Sequence, residues 1–203
     1  MTLDVIEAAV TYLSQGGEAP EAEAVVAALL AAEKHSKQAK VCYAYESFVG
    51  SWRLGFVSGT QMIRPRPQAK PVKRPGKGRY LPKLVKIQIT YGANEDGASG
   101  EDSTFGTVEN SVITGPLQLC LIGPTRFWPG TNSLAFDFTN IQVKVGALSL
   151  YNGAVRGGSG RDQTFKAQSL KDQAFFTFFC VCDRYIAARG KGGGLALWTK
   201  ADG

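Results

Sequence analysis

The residue types that most often carry catalysis are sparse in this chain, which limits the chemistry it could perform. Its 203 residues include one histidine, His35, and four cysteines, at positions 42, 120, 180 and 182. No C-x-x-C pair occurs among them, so a zinc site is not expected. His35 falls within a predicted helix, far along the chain from candidate nucleophiles, which argues against a Ser-His-Asp or Cys-His centre. We therefore predict no catalytic residues, no metal ligands and no required cofactor.

Two further motifs could carry chemistry but favour structural roles. Residues 190–194 read G-K-G-G-G, which lacks the spacing of a phosphate-binding loop and precedes a predicted strand rather than a helix, so we expect a tight hairpin turn. Asp137 and Asp183 could form a pair of carboxylates in a cavity, but the sequence does not show whether they approach each other. Salt-bridged carboxylates are the simpler interpretation, and the chain is not expected to be an enzyme.

The cysteines and the N-terminal residues both indicate a cytoplasmic compartment. Cys180 and Cys182 lie two apart in a predicted strand, where both side chains share one face and would not bridge comfortably, so we expect buried or half-buried free thiols. The first residues include Asp4 and Glu7 and resemble neither a signal peptide nor a transit peptide. No apolar run approaches the length of a membrane span. These features predict a cytoplasmic location.

The net charge of +6 comes from one segment of the chain. Residues 50–92 contain ten basic and no acidic residues, whereas residues 1–49 are net acidic and the remainder is neutral. We predict a basic, proline-rich loop over residues 61–83 that binds a membrane or a partner. Its basic residues are Arg64, Arg66, Lys70, Lys73, Arg74, Lys77, Arg79 and Lys83.

Three interpretations of this loop are open. An anionic membrane surface or an acidic protein partner would be attracted by its charge. A loop that is simply solvated is the alternative. Nucleic acid is less favoured, because single-strand recognition usually presents several aromatic side chains for stacking and this segment has only Tyr80.

The elements that position these residues divide the chain into a helical segment, 1–47, and a β-rich domain, 48–203. Apolar residues recur at helical spacing from Val5 to Leu13, and Gly16-Gly17 ends that helix. A second helix is predicted from about Pro20 towards Tyr43 or Phe48, packed against the domain that follows.

From Gly50 onward the apolar period changes to two, which predicts short strands. They are expected at residues 52–58, 84–91, 107–113, 117–122, 133–138, 141–145, 148–151, 174–182, 185–189 and 194–200. Glycine- and proline-containing turns are expected between them, including Gly115-Pro116 and Gly123-Pro124. Such a series predicts a mainly β fold, an up-and-down antiparallel barrel of lipocalin-like type preceded by the helical segment.

Gly50-Ser51-Trp52 stands where this β-rich stretch begins, as a G-x-W motif does in such barrels. Trp52 is predicted to fill the barrel floor, with the guanidinium of Arg189 packed across its indole. Inward-facing side chains would line an apolar cavity above the floor. Strand alternation selects Phe56, Ile87, Ile89, Phe136, Phe138, Phe176 and Phe178 as cavity candidates.

Five stretches resemble the plastid lipid-associated protein, or fibrillin, family of cyanobacteria and plastids. They lie within residues 48–54, 108–112, 134–138, 148–153 and 183–190, and include the opening G-x-W-x-L and an Asp shortly before an Arg-Gly. The resemblance covers about residues 48–200. Ile186 stands where the family often has a second arginine, and the transit peptide of many plant members is absent.

The resemblance implies binding or carriage of an isoprenoid-type lipid, such as a carotenoid, quinone, tocopherol or other membrane lipid, without catalysis. It also implies a cytoplasmic or stromal protein peripherally associated with the thylakoid membrane. One alternative is a bilin-binding chaperone or lyase, which inward-pointing Arg53, Arg126, Arg156 or Arg189 would favour because the bilin carries two propionates. Another is a scaffold that binds photosynthetic complexes through the basic loop, with its cavity filled by side chains.

Overall fold

A computed structural model describes residues 2–64, 68, 70–93, 99–100, 103–155 and 164–201. Two α-helices come first, α1 (Thr2–Gln15) and α2 (Ala22–Gln38). The second helix is shorter than the sequence predicts, and the chain from residue 41 to 49 instead contains a short 3-10 turn, Tyr45–Ser47. Gly16 and Gly17 both have positive φ, as expected of residues that end a helix.

The rest of the described chain is dominated by strands. They are β1 (Gly50–Ile63), β2 (Val72–Tyr80), β3 (Val85–Ala93), β4 (Ser99–Gly100), β5 (Ser103–Thr114), β6 (Leu117–Trp128), β7 (Ser133–Phe136), β8 (Asn140–Val145), β9 (Leu148–Ala154), β10 (Ala174–Val181), β11 (Tyr185–Gly190) and β12 (Leu195–Lys200).

Eight of these strands close into an antiparallel barrel. Its order is β1-β3-β5-β6-β7-β10-β11-β12, and β12 pairs with β1 to complete the circle. Strands that are neighbours in the barrel follow one another along the chain, so the topology is up-and-down. The predicted fold class, a mainly β antiparallel barrel preceded by a helical segment, is confirmed.

Two hairpins project from the same end of the barrel. β1 leaves its partners after Val57 and continues with β2 as a two-stranded hairpin, the β1–β2 hairpin. On the other side of β3, strands β5 and β6 also extend beyond the barrel. There β8 pairs with the first half of β6, and β9 pairs with β8. We call this the open end of the barrel, and the end where β1 begins the closed end.

The helices pack on the outer wall of the barrel rather than across an opening. Ile6, Val10 and Leu29 are fully buried in one cluster with Leu195 and Leu197 of β12. The residues that face outward here are apolar because the helices cover them, so this wall is buried on both faces. The helices and the outer face of this wall therefore share one apolar cluster, distinct from the cluster inside the barrel.

A β-bulge in β1 changes the direction of its side chains. Trp52 and Leu54 face the barrel interior, and the register with β12 then shifts between Leu54 and Phe56. Gly55 is the extra residue, and a Cβ there would lie 2.5 Å from the side chain of Leu13 in α1. Beyond the bulge, Val57 faces inward and Phe56 faces the helices. The assignment of Phe56 to the cavity is therefore wrong.

Two other sequence predictions are corrected by the strands. Most of the expected basic loop, residues 61–63 and 72–80, is strand, because β1 offers β2 an edge to pair with. Pro75 is tolerated in β2, since this strand pairs only with β1. The turn expected at Gly123-Pro124 lies inside β6, at the junction between its partners β7 and β8. Arg66 lies outside the described residues.

Candidate functional site

The closed end of the barrel is filled by its own aromatic side chains. Phe48 enters from the segment before β1, and its ring centre lies 4.9 Å from that of Phe127 and 4.6 Å from that of Phe178. The hydroxyl of Tyr45 donates to the Gly92 carbonyl oxygen, at 2.9 Å, and burial raises its pKa. These contacts form a floor of interlocked rings.

Trp52 belongs to this floor, as the sequence predicts, but its cationic partner is different. The indole Nε1 donates to the Phe48 carbonyl oxygen over 2.7 Å, and the side chain is 1% exposed. Lys200 Nζ, from the end of β12, lies 4.2 Å from the ring centre. Gly50 makes this approach possible: its φ is 120°, and a Cβ there would lie 2.6 Å from Lys200 Nζ.

Arg189 does not contact Trp52, so that half of the predicted floor is wrong. Its side chain faces α2, where Nε donates to Glu33 Oε1 at 2.8 Å and the terminal nitrogen donates to Glu33 Oε2. Burial alone raises the Glu33 pKa, but hydrogen bonds from Arg189 and Lys37, together with their charges, outweigh it and lower the pKa of this carboxyl. Arg189 therefore fastens α2 to the barrel wall.

The open end carries three half-buried phenylalanines that the sequence identified. Phe136 and Phe176 stack with ring centres 5.2 Å apart, and Phe138 lies 5.5 Å from Phe136. Phe176 also packs edge-on against the indole of Trp198, at 5.2 Å. All three rings contact the interior core but retain exposed surface. They form an apolar opening to the barrel.

From this opening an apolar surface continues over the sheet of β3, β5, β6, β8 and β9. Cross-strand partners share a face of a sheet, and here three adjacent rows of partners lie on the interior-facing side. The middle row is Ile87, Val112, Leu119, Val143 and Tyr151. The row nearer the closed end is Ile89, Asn110, Leu121, Ile141 and Gly153. The outermost row is Val85, Thr114, Leu117, Val145 and Leu148.

We call these three rows the apolar face. Apart from the Tyr151 hydroxyl, its only polar side chains are Asn110 and Thr114, whereas the neighbouring row on the opposite side of the sheet reads Gln88, Ser111, Cys120, Gln142 and Asn152. Exposure rises along the face away from the barrel. Ile89 is 5% exposed, Val143 is half-buried, and Leu148 at the edge is 65% exposed. The sheet therefore presents hydrocarbon that the described chain covers only in part.

The structure brings most of the sequence-predicted cavity residues together. Ile89 and Phe178 are buried in the core, and Ile87 lies on the apolar face. Ile89 and Phe178 belong to one apolar cluster with Phe136, Phe138 and Phe176, and Ile87 lies outside that cluster. Sequence reasoning missed the aliphatic residues of β5, β6 and β8, of which Val112, Leu119 and Val143 are the centre. The alternation of apolar residues along these strands is the sequence signal that identifies them.

The basic residues lie on or beside the β1–β2 hairpin. Lys73, Arg74, Lys77 and Arg79 are exposed on β2, and Arg64 and Lys70 flank its tip. Lys83 differs, because its ammonium lies 5.6 Å from the ring centre of Tyr12 in α1. The predicted basic surface thus belongs mainly to a strand that projects beside the opening.

The arginines proposed for bilin binding and the two aspartates proposed as a carboxylate pair do not converge on one site. Arg53 lies beside α1, Arg126 stacks on Phe105 and Trp128, and Arg189 binds Glu33, so none of them lines the opening. Arg156 lies outside the described residues. Asp137 follows β7 at the open end, whereas Asp183 lies in the β10–β11 turn at the closed end, so they do not form a pair. The arginine-lined cavity of a bilin protein therefore finds no support in the described arginines.

The remaining reactive groups are dispersed. Among the described residues, histidine, cysteine and acidic side chains form no group of three or more that could hold a metal ion. The cysteines are free thiols, but Cys42 and Cys182 are exposed, contrary to the expected burial. Within the same ranges, no helix is both long and apolar enough to cross a membrane.

Comparison of this chain with protein-family models, curated proteins and solved structures found no match. The resemblance to plastid lipid-associated proteins therefore stays a prediction from short motifs. The structure itself defines an eight-stranded up-and-down β-barrel with an aromatic floor and an apolar open end.

Proposed function

We propose that this protein binds and carries an apolar, lipid-like molecule at the open end of its barrel, without catalysing a reaction. The observation that carries the proposal is the apolar face, which continues the half-buried ring cluster of Phe136, Phe138 and Phe176. Exposed hydrocarbon of this extent is characteristic of binding sites rather than of free protein surface.

A contact of about 300 Å² would be sufficient for useful affinity. Removing about 300 Å² of apolar surface from water contributes about 7 kcal/mol, before the costs of association and ordering are subtracted. The aromatic floor fills the closed end, so the ligand would lie across the opening and along the apolar face rather than deep in the barrel. An extended chain or ring system suits such a site better than a compact polar molecule.

The class of ligand within this proposal comes from the sequence resemblance. It names isoprenoid-type lipids, such as carotenoids, quinones and tocopherols, or other lipids of the photosynthetic membrane. The same resemblance would place the protein at the thylakoid surface. A scaffold for photosynthetic complexes, with no ligand, is the competing expectation.

The test is purification from a photosynthetic host, followed by a visible spectrum and mass spectrometry of the organic extract. We expect one lipid species at about stoichiometric amount. The variant Val143→Asp places a charge in the centre of the apolar face and should reduce the bound lipid at least about tenfold. Its matched control is Gln142→Asp, the next residue of β8, which faces the polar side of the sheet.

The two variants make the result specific to the site. Both must show wild-type circular dichroism before their extracts are compared. An empty wild-type protein would overturn carriage and favour the scaffold. Equal lipid content in both variants would show that the apolar face is not the binding site.

A further inference from the structure

Exposed apolar side chains are concentrated at the open end. Eight of the eleven large apolar side chains that the described residues expose lie on the β1–β2 hairpin, at the start of β3, or on the sheet that bears the apolar face. They are Met62, Val72, Leu84, Leu117, Val145, Leu148, Leu150 and Tyr151. Met62 is 59% exposed and Leu84 is 87% exposed. One end of the molecule is thus markedly more apolar than the rest.

The hairpin combines these apolar groups with positive charge. Met62 pairs across the strands with Lys73, Gln61 with Arg74, and Ile63 with Val72. Lys73, Arg74, Lys77 and Arg79 form no ion pair with any described acidic residue. No acidic residue occurs between positions 50 and 92 to offset them. The hairpin therefore projects cations that form no ion pair with the described acidic residues and that are interleaved with hydrocarbon.

This combination fits one kind of partner best. A membrane surface with anionic headgroups offers phosphates to the basic side chains and acyl chains to the apolar ones. Nucleic acid would favour exposed aromatic rings, but Tyr80 packs against Phe56 and donates its hydroxyl hydrogen to the Pro20 carbonyl oxygen. An acidic protein surface would match the charge but not the interleaved hydrocarbon.

We propose that the β1–β2 hairpin docks the open end of the barrel on an anionic membrane surface, with Met62 and Val72 inserted among the lipids and Lys73, Arg74, Lys77 and Arg79 over the headgroup phosphates. The hairpin projects from the same end as the apolar face. Docking therefore brings that face to the bilayer, and a lipid passes between them without crossing water. This inference deepens the proposed function and rests on it only for the identity of the cargo.

The experiment is flotation of the full-length protein with two kinds of vesicle. One is phosphatidylcholine alone, and the other contains about one third phosphatidylglycerol. We expect binding to the anionic vesicles that weakens as salt is raised, because screening shortens the range of the charges. Each basic residue contributes about fivefold to partitioning, so Lys73→Glu with Arg74→Glu should lower it at least about 25-fold.

Met62→Gln separates insertion from charge attraction, because it removes the apolar side chain without adding a charge beside its cross-strand partner Lys73. It leaves every cation in place, so the part of the binding that survives high salt should be lost. The controls are Lys34→Glu for the charge reversals and Leu3→Gln for Met62→Gln, which change exposed residues on the helices. All of these positions are exposed, so the variants should fold.

The outcomes for docking and for carriage are distinguishable. Flotation that is indifferent to anionic lipid, or equal loss in the hairpin and helix variants, would overturn docking. Wild-type protein that binds an oligonucleotide but not the vesicles would overturn it in favour of nucleic acid. Lipid content in the organic extract, compared between Val143→Asp and Gln142→Asp, tests carriage separately, because neither substitution lies on the hairpin.

Discussion

Single residues decide how the helical segment is held on the barrel, and Glu33 is the clearest example. Its carboxylate is buried on α2 and accepts hydrogen bonds from Arg189 of β11 and from Lys37. The hydrogen bond from Arg189 joins residues that are 156 positions apart in sequence. Removing the charge on one side leaves a partly buried guanidinium without its partner.

Glu33→Gln should therefore destabilise the fold by about 1–3 kcal/mol at neutral pH, measured by urea denaturation. The control is Lys34→Gln, the next residue of the same helix, which is exposed and should change stability by less than about 0.5 kcal/mol. Equal stabilities of Glu33→Gln and wild type would show that the ion pair contributes nothing.

The same pair predicts a pH dependence. The pKa of Glu33 is lowered in the folded state from its ordinary value of 4.5, so the folded protein favours the ionised form. Its stabilisation is fully present above the unfolded-state pKa and is lost as the pH falls through the lowered folded value. The stability difference between wild type and Glu33→Gln should therefore narrow below about pH 4.5, and a difference that widens there would contradict the assignment.

Trp52 and Lys200 give a second prediction at this scale. Trp52→Ala removes a fully buried ring from the floor and should cost about 3–5 kcal/mol. Lys200→Met keeps the aliphatic stem but removes the ammonium over the indole, and should cost about 0.5–1 kcal/mol. Chemical denaturation of both variants tests the assignment, which fails if Trp52→Ala is as stable as wild type.

At the scale of elements, the β1–β2 hairpin depends on close contact with α2. Gly78 of β2 lies against that helix, and a Cβ there would lie 2.3 Å from the Phe56 ring and 2.8 Å from the Val26 side chain. This close approach explains why a glycine-rich, charged segment forms a strand. The helix supplies packing that the composition of β2 does not suggest.

Gly78→Ala should therefore destabilise the protein by about 1–3 kcal/mol, because the ring or the helix must move. The control is Gly59→Ala in the same hairpin, where an added Cβ meets no atom within 4 Å. Thermal melts of the two variants should differ clearly. Similar melting temperatures would mean that the contact between α2 and β2 is loose.

At the scale of the whole molecule, the helices and the outer face of the barrel wall share an apolar cluster and should unfold together. Leu29 of α2 is fully buried in the cluster that also contains Phe179 and Leu197 of the barrel wall. Leu29→Ala should cost about 2–5 kcal/mol. The midpoint of the unfolding transition should shift by the same amount whether it is followed by circular dichroism of the helices or by tryptophan fluorescence of the barrel.

The control is Leu30→Ala, the same substitution at the next residue of α2, whose side chain is exposed. It should leave both transitions in place. A helical signal that is lost before the fluorescence changes would show that the helices are a separate unit.

Much of the architecture could be predicted from sequence, because the signals are local. The ten expected strands all exist, since alternation and glycine-containing turns mark them. β2 was missed, because proline, glycine and like charges are unfavourable in a strand unless a neighbour provides both pairing and cover. The second half of β6, beyond the strand expected at residues 117–122, was missed for a related reason, since Pro124 is tolerated only where the partner strands change.

The sequence by itself determined the helices, most of the strands, the basic segment and the predominance of inward-facing phenylalanines. Only the tertiary structure decided which face of its strand each side chain occupies and which charged groups form ion pairs. Phe56 changed sides because one bulge at Gly55 reverses alternation, and Arg189 turned to Glu33 because α2 packs there. Strand faces depend on register and bulges set by distant segments, which no local pattern encodes.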